Sequence, residues 1–280
     1  MRIRPPSTSR SSLVPLAAVL GLVLTVPAAA TNLNGFMPGQ GHGNLAISYT
    51  AESYDQFWVG DVEVSDPGVG EVETDSLSAW FQWGFTDNLA LVVDAAYVDV
   101  TSDGLGGFED SGLQDASVLL KQRFLSSGPH TLVGGLGVRT AISDYEANLP
   151  VDLGDNTTDA LLRLVYQLES GSFYFSQQVG YDIRGDDAPD GFPLYTELGY
   201  TFGPATLTLF YFNLIADGGT DIGDPGFTFP SNKDETTRLG LKVYSRINDR
   251  LGFGLAGFDT LDGRNSGETA GYSGSLLVNF

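Results

Sequence analysis

Charged side chains stand at alternate positions within otherwise apolar stretches of this sequence. A charge removed from water is stable only when an opposite charge or a hydrogen-bonding group compensates it. Two roles follow for such a set: a lattice of internal salt bridges, or a polar path along a positive wall that favours anionic or polarisable solutes. The basic members are Lys121, Arg123, Arg139, Arg163, Arg184, Arg238, Lys242 and Arg246, and the acidic members are Glu52, Asp94, Asp115, Asp159, Asp182 and Glu197.

Catalytic chemistry finds little support in the residue types. A hydrolase needs a nucleophile, a base and an orienting group within reach of one another. The chain has only two histidines, His42 and His130, and the strand pattern below places both at the rim opposite the long loops. We therefore expect no catalytic residues and no enzyme activity.

Metal and cofactor motifs are equally weak. Asp217, Asp221 and Asp224 in D-G-G-T-D-I-G-D offer hard oxygen ligands for Ca²⁺, but their spacing does not fit an EF-hand loop. The run Gly134-Gly135-x-Gly137 lies inside a predicted strand without a following helix, so it indicates close backbone packing rather than a dinucleotide site. We expect no cofactor, and at most a weak cation site in the acidic loops.

The elements that must position these charges are β-strands. In the last stretch, Ala270 to Phe280, every second residue is apolar or small, and a period of two indicates a strand with one oily and one wet face. The same alternation predicts twelve strands: 43–53, 76–85, 89–98, 113–125, 131–143, 159–169, 172–184, 192–202, 205–216, 236–247, 251–258 and 270–280.

Connections between these strands alternate in length. Tight turns follow the second, fourth, sixth, eighth and tenth strands, and longer acidic loops cover 54–75, 99–112, 144–158, 185–190, 217–235 and 259–268. The apolar face of each predicted strand carries no charge, the basic residues lie mostly on the opposite faces, and the acidic residues lie mostly in the long loops. A soluble β-sandwich would instead scatter Lys and Glu along its wet faces and tolerate some charge on its edge strands. The pattern predicts an all-β fold: a closed, antiparallel, up-and-down transmembrane β-barrel, with long acidic loops on one rim and short turns on the other.

Aromatic residues near the short turns agree with a membrane–water interface; they are Phe85, Phe124, Phe173, Tyr200, Phe202, Phe253 and Phe280. The ninth predicted strand is ambiguous, because both its faces are apolar. Either Leu207, Leu209 and Tyr211 or Phe210, Phe212 and Leu214 therefore put an oily patch into the barrel interior.

The amino end has the features of a cleaved signal peptide over residues 1–30. Arg2, Arg4 and Arg10 precede a 14-residue apolar run, and Ala28-Ala29-Ala30 offers a cleavage site. Residues 31–280 then form a single barrel domain. Without cysteine, no disulfide is available. With 35 acidic against 14 basic residues, the chain lacks the positive surface that nucleic-acid binding requires, whereas divalent cations remain possible partners for the loops.

Two stretches resemble a known family. Gly39 to Thr50 (G-Q-G-H-G-N-L-A-I-S-Y-T) and Trp80 to Leu91 (W-F-Q-W-G-F-T-D-N-L-A-L) are similar to the phenol-degradation MetA-pathway family of outer-membrane transporters. The terminal Phe280 resembles the residue that the barrel-insertion machinery reads in bacterial outer-membrane barrels. These resemblances imply a location in the outer membrane of a Gram-negative cell, and contact there with lipids and with that machinery.

The residues and the resemblance together leave two hypotheses. The first is passive transport of small molecules, hydrophobic, aromatic or anionic, through a narrow arginine-lined lumen. The second is a structural or adhesive surface barrel with a closed lumen, whose acidic loops bind cations or lipid head groups.

Overall fold

The computed structural model describes residues 32–65, 68–104, 106–145, 147, 149 and 151–280. The signal peptide predicted for residues 1–30 lies outside the described residues and stays a prediction.

Fourteen strands are present in the described part of the chain. They are β1 (Gly43–Tyr54), β2 (Phe57–Val59), β3 (Val62–Val64), β4 (Val72–Gly84), β5 (Leu89–Ser102), β6 (Phe108–Ser127), β7 (His130–Ala141), β8 (Thr158–Ser170), β9 (Phe173–Ile183), β10 (Asp190–Phe202), β11 (Ala205–Asp217), β12 (Glu235–Arg246), β13 (Leu251–Arg264) and β14 (Ala270–Asn279).

Twelve of these strands form one closed antiparallel barrel, and each corresponds to one predicted strand. Closure is made by β1, which pairs with β14 on one side and with β4 on the other. Because the barrel is closed, it has no open edge, and the main-chain polar groups of each strand can bond to a neighbouring strand. This is the condition for a β-structure within the hydrocarbon of a membrane. The predicted transmembrane β-barrel is confirmed.

No helix in the described ranges is long and apolar enough to cross a membrane.

The loop-side ends of several strands extend beyond their predicted limits. The predicted loop 99–112 is largely strand, because β5 and β6 stay paired up to Ser102 and Phe108, and the predicted loop 259–268 shrinks as β13 runs on to Arg264. The loop after β1 contains a small hairpin, β2–β3, that the sequence did not reveal. Acidic residues obscured these extensions, since they break the apolar alternation without breaking the hydrogen-bond ladder.

The outward face carries no charge along the predicted strand ranges and is largely apolar, although Gln177, Thr196 and Asn213 also face outward. Leu136 and Leu255 at mid-strand are 60% and 57% exposed, and a continuous band of such residues around the barrel is typical of a wall against lipid. Outward acids such as Asp75 and Asp259 lie in the loop-side extensions. All seven predicted interface aromatics are exposed at the turn side, and Phe280 stacks on Trp83 with ring centroids 5.9 Å apart.

The orientation of β11, which the sequence left open, is settled by burial. Leu207, Leu209 and Tyr211 are about two-fifths exposed and face outward, whereas Phe210 and Phe212 are 2% and 0% exposed and point into the barrel. The interior therefore contains an apolar layer as well as the charged set.

Candidate functional site in the barrel lumen

The first described residues lie inside the barrel, which the sequence analysis did not predict. The chain enters from the turn side, where Gln40 N donates to Asp87 Oδ1 at 3.0 Å, and runs inward to Asn32, which is 4% exposed. We call residues 32–37 the N-terminal segment. Two inward-facing amides bind its backbone: Leu33 N donates to Gln178 Oε1 at 2.6 Å, and Gly35 N donates to Gln167 Oε1 at 2.7 Å.

Leu33 anchors this segment in the apolar layer. Its side chain is 2% exposed and packs in a cluster with Leu119, Val133, Leu161, Val165, Phe210 and Phe212. Gly135 makes the room, because a Cβ at that position would lie 2.6 Å from Leu33 Cδ1. The glycines of β7 therefore lie at close contacts: Gly135 accommodates the N-terminal segment, whereas Gly134 lies against Phe124 and Gly137 against Leu119. The N-terminal segment thus fills the turn-side part of the lumen, where packing and hydrogen bonds hold it.

Lys121 ties the same segment to the wall. The side chain is among the largest fully buried ones, and Nζ donates to the main-chain oxygen of Phe36 at 2.6 Å. The Phe36 ring meets Tyr174 edge-on at 5.4 Å. A buried ammonium is thus directed at a carbonyl of the segment.

Above this layer the predicted charges form pairs. Arg139 Nη2 lies 2.5 Å from Asp159 Oδ2, Lys242 Nζ lies 2.7 Å from Glu197 Oε1, and Arg163 pairs with Asp182. The Lys242 ammonium also lies over the rings of Tyr195 and Phe210, 5.0 and 5.1 Å from their centroids, where the ring quadrupoles stabilise it. The structure therefore brings these residues together inside the barrel as a salt-bridge lattice.

Four further members of the predicted set lie at the margins of the lattice. Asp94 accepts from Ser117 Oγ at 2.6 Å, and Asp115 accepts from the Tyr145 hydroxyl at 2.5 Å. Arg123 and Arg246 lie at the turn-side rim. Arg123 keeps the inward register, opposite Val133, but its side chain reaches the tight turn after β4 and donates from Nε to Asn88 Oδ1 at 2.9 Å, so it does not join the lattice. Arg246 ends β12 at the same rim.

On the loop side, the lumen opens into a cavity of about 250 Å³ that we call the outer vestibule. One wall is apolar and comes from β4 and β5 with the loop after β7; it includes Val72, Val98, Val100, Val151 and Leu153. The other side is polar and includes Arg184, Arg238, Asn232 and Asp234. The vestibule is thus divided into an oily and a charged side.

The last part of the loop after β7, residues 151–157, folds inward and builds part of that oily wall. Val151 and Leu153 are 5% and 2% exposed, and the Tyr145 hydroxyl accepts a hydrogen bond from Asn156 N at 3.0 Å. Asp155 of this loop pairs with Arg184, next to the end of β9. This long loop therefore narrows the mouth of the barrel instead of projecting from it.

Asp234, in the loop before β12, faces the vestibule. Its position within the ring of loops and the charges of Asp155 and Glu235 together raise its pKa to about 7, although Arg184 and Arg238 oppose the rise. The carboxyl group therefore titrates near neutral pH, and its charge acts on both guanidinium groups.

The structure separates the candidate calcium ligands. Asp221 is bound by Arg264 and by Asn265 Nδ2 at 2.9 Å, and Arg264 holds the pKa of Asp221 below its ordinary value. Asp217 instead accepts from the Tyr181 hydroxyl at 3.0 Å. In the part of the chain that the structure describes, no three acidic or histidine side chains meet in a metal-binding group. The three carboxylates of this triplet therefore do not form one cluster.

Both histidines lie at the turn-side rim, as expected. His130 Nδ1 is 2.8 Å from the Tyr166 hydroxyl, and the two rings stack. His42 is exposed just before β1.

Residues 59–276 match the model of the family described as "Putative MetA-pathway of phenol degradation". The chain belongs to this family. No protein of curated function matches the sequence.

Solved structures show the same fold at low sequence identity. An outer membrane channel from Pseudomonas putida F1 is 14% identical, with 86% of this chain and 96% of that chain covered and a TM-score of 0.73. The translocator domain of the autotransporter NalP from Neisseria meningitidis is 11% identical, with coverage of 86% and 88% and a TM-score of 0.51. A NanC porin is 8% identical, with coverage of 82% and 98% and a TM-score of 0.50. At these identities the likeness shows the fold.

The residues that sequence reasoning missed are those of the N-terminal segment and its glutamine partners. Inward-facing Gln167 and Gln178 stand in β8 and β9 among apolar and charged neighbours, where an amide that can both donate and accept suits an extended backbone. Their presence, together with Gly135, was the available signal. The alternation of apolar and polar residues could not predict the contact, because the N-terminal segment has no periodicity of its own that would mark it as part of the barrel.

Proposed function

We propose that the protein is a passive outer-membrane channel for small solutes. The observation that carries the proposal is the way the lumen is filled. Its turn-side part is occupied by a short segment bound through amide hydrogen bonds and one leucine, while its loop side holds a cavity of about 250 Å³. Such a segment can be displaced without breaking the barrel ladder.

Membership in the phenol-degradation family and the fold shared with an outer membrane channel support this proposal. The apolar outer wall and its aromatic rim support placement in the outer membrane, among its lipids. Insertion through a machinery that reads Phe280, and attraction of divalent cations to the acidic loops, are further proposals. The rim positions of His42 and His130 favour a transporter over an enzyme.

A closed structural or adhesive barrel is the second candidate, favoured by one observation. Arg139, Lys242 and their partners form close ion pairs in the interior, and a paired lattice stiffens a wall whether or not solute passes. The two candidates differ in whether ions cross the barrel.

Conductance in a planar bilayer tests the proposal. The full mature chain should give single-channel steps, and a variant lacking residues 32–36 should give steps of larger conductance, since Leu33 no longer fills the apolar layer. A control is the Gln40→Ala variant, which changes an exposed side chain outside the segment and should resemble the wild type. Absence of steps in both the wild type and the deletion, with a folded barrel, would favour the closed barrel.

A further inference from the structure

Two arginines flank one side of the outer vestibule. In the strand order of the barrel, β10 and β11 lie opposite β4 and β5, and β9 and β12 lie on either side of β10 and β11. Arg184 follows β9 and Arg238 belongs to β12, so both guanidinium groups stand across the cavity from the apolar wall of Val72, Val98 and Val100. Any molecule in the vestibule meets charge on one side and hydrocarbon on the other.

Arg238 is incompletely compensated among the described residues. Its side chain is 10% exposed, and its closest acidic contact, Nη1 to Glu52 Oε2, is 4.0 Å. Both Nε and Nη1 are buried without a hydrogen-bond partner in the described part of the chain, as are Arg184 Nε, Thr236 Oγ1 and the facing acceptor Glu52 Oε2. A buried donor of a charged group that lacks a hydrogen-bond partner costs free energy, so this wall is suited to an incoming acceptor.

Four carboxylates line the vestibule, and they are Glu52, Asp152, Asp155 and Asp234. Asp155 is already paired with Arg184, and Asp234 faces Arg184 and Arg238 with a pKa of about 7, so it loses its charge in mildly acidic solution. Arg238 also stacks on Phe258, with Cζ 5.3 Å from the ring centroid, which holds the guanidinium plane in place. The volume, just below the range of drug-sized pockets, suits a compact molecule.

We propose that the outer vestibule binds small organic monoanions with a compact apolar body, the carboxylate on Arg238 and Arg184 and the body against Val98, Val100 and Leu153. This inference deepens the proposed function, on which it rests for any role in transport, by naming the class of solute. Binding is an equilibrium property of the cavity, so it is measured separately from flux.

Calorimetric titration of the detergent-solubilised mature chain tests the site, with benzoate as the probe. Benzamide has the same shape without the charge, and acetate has the charge without the apolar body, so both should bind about tenfold or more weakly. The Arg238→Gln variant should lose benzoate affinity by a similar factor, while Arg250→Gln, the same change in an exposed turn at the opposite rim, should not. Equal affinity for benzoate and benzamide, or unchanged affinity in Arg238→Gln, would overturn the proposal.

The pH dependence supplies a second measurement. As pH falls from about 8 to about 6, Asp234 takes up a proton and the vestibule loses a negative charge, so benzoate, which stays ionised, should bind more tightly. The groups that act on Asp234 are Asp155, Arg184, Glu235 and Arg238. An Asp234→Asn variant should bind at both values as the wild type does at the lower one. An affinity that rises with pH would contradict the assignment.

Failure of this inference and failure of the channel proposal give different results. Conductance without selective benzoate binding leaves the channel and removes the anion site. Benzoate binding without conductance leaves the site and indicates a receptor-like closed barrel.

Discussion

Asp159 lies where three neighbouring elements meet inside the barrel. Its side chain is 0% exposed; it accepts from Arg139, lies 3.7 Å from Arg184 Nε, and takes a hydrogen bond from Thr157 Oγ1 at 2.7 Å. The aspartate therefore joins β7, β8 and the end of β9. At the residue scale, the lumen depends on such shared carboxylates rather than on isolated pairs.

We expect Asp159→Asn to destabilise the barrel by about 3–5 kcal/mol, because removing one partner leaves buried positive charge uncompensated. Tryptophan fluorescence during guanidinium unfolding from lipid vesicles measures the effect. Asp249→Asn makes the same change of charge in an exposed turn and should shift the unfolding free energy by no more than about 0.5 kcal/mol. Equal effects of the two substitutions would show that the lattice contributes nothing to stability.

The N-terminal segment is the element on which the state of the lumen depends. It has no strand pattern of its own, and its backbone is held by Gln167, Gln178 and Lys121. Those three side chains come from β8, β9 and β6, so the binding site of the segment exists only when these strands are paired through β7.

Gly135→Ala tests the fit of this segment. The new Cβ would approach Leu33 Cδ1 to 2.6 Å, so Leu33 must move, and we expect larger single-channel conductance and faster protease cleavage of the segment. Gly274→Ala adds the same methyl group where the nearest atom is 3.8 Å away, and it should behave as the wild type. If both variants conduct alike, the segment does not set the conductance.

For the whole molecule, the distribution of charge between the two faces of the barrel wall decides the environment. Outward positions at mid-strand carry no charge and are mostly apolar, and outward acids occur only where the strands extend toward the loops. The same alternation that buries Lys121 and Arg163 inside exposes Leu136 and Leu164 outside. A water-soluble barrel would require the reverse.

A lysine on the outer wall tests this directly. Leu136→Lys should lower the stability of the inserted barrel by about 2–4 kcal/mol, the cost of such a charge near the bilayer midplane. Thr101→Lys is the control, because Thr101 pairs with Glu73 and Glu109 in the loop-side extension, where a lysine has water and two acids. Unfolding from vesicles compares the two, and a mid-wall lysine without cost would place the outer face in water.

The sequence by itself determined the twelve strands, their antiparallel order and the sorting of charge to the inside. These properties depend on a period of two and on short turns, and both are local. Its errors were local as well: Arg123 was assigned to the lumen because the pattern of one strand does not show that its side chain reaches the neighbouring turn, and loop 99–112 was assigned from its acids although its backbone stays paired.

Only the tertiary structure decided what fills the barrel. The N-terminal segment meets Gln178 across 145 residues of sequence, and Arg238 and Arg184 face Val98 and Val100 only because the sheet closes on itself. Contacts between such distant residues arise from closure of the ring, and no pattern within a single strand encodes them. Which side chains share the vestibule is therefore a property of the closed barrel and not of any one segment.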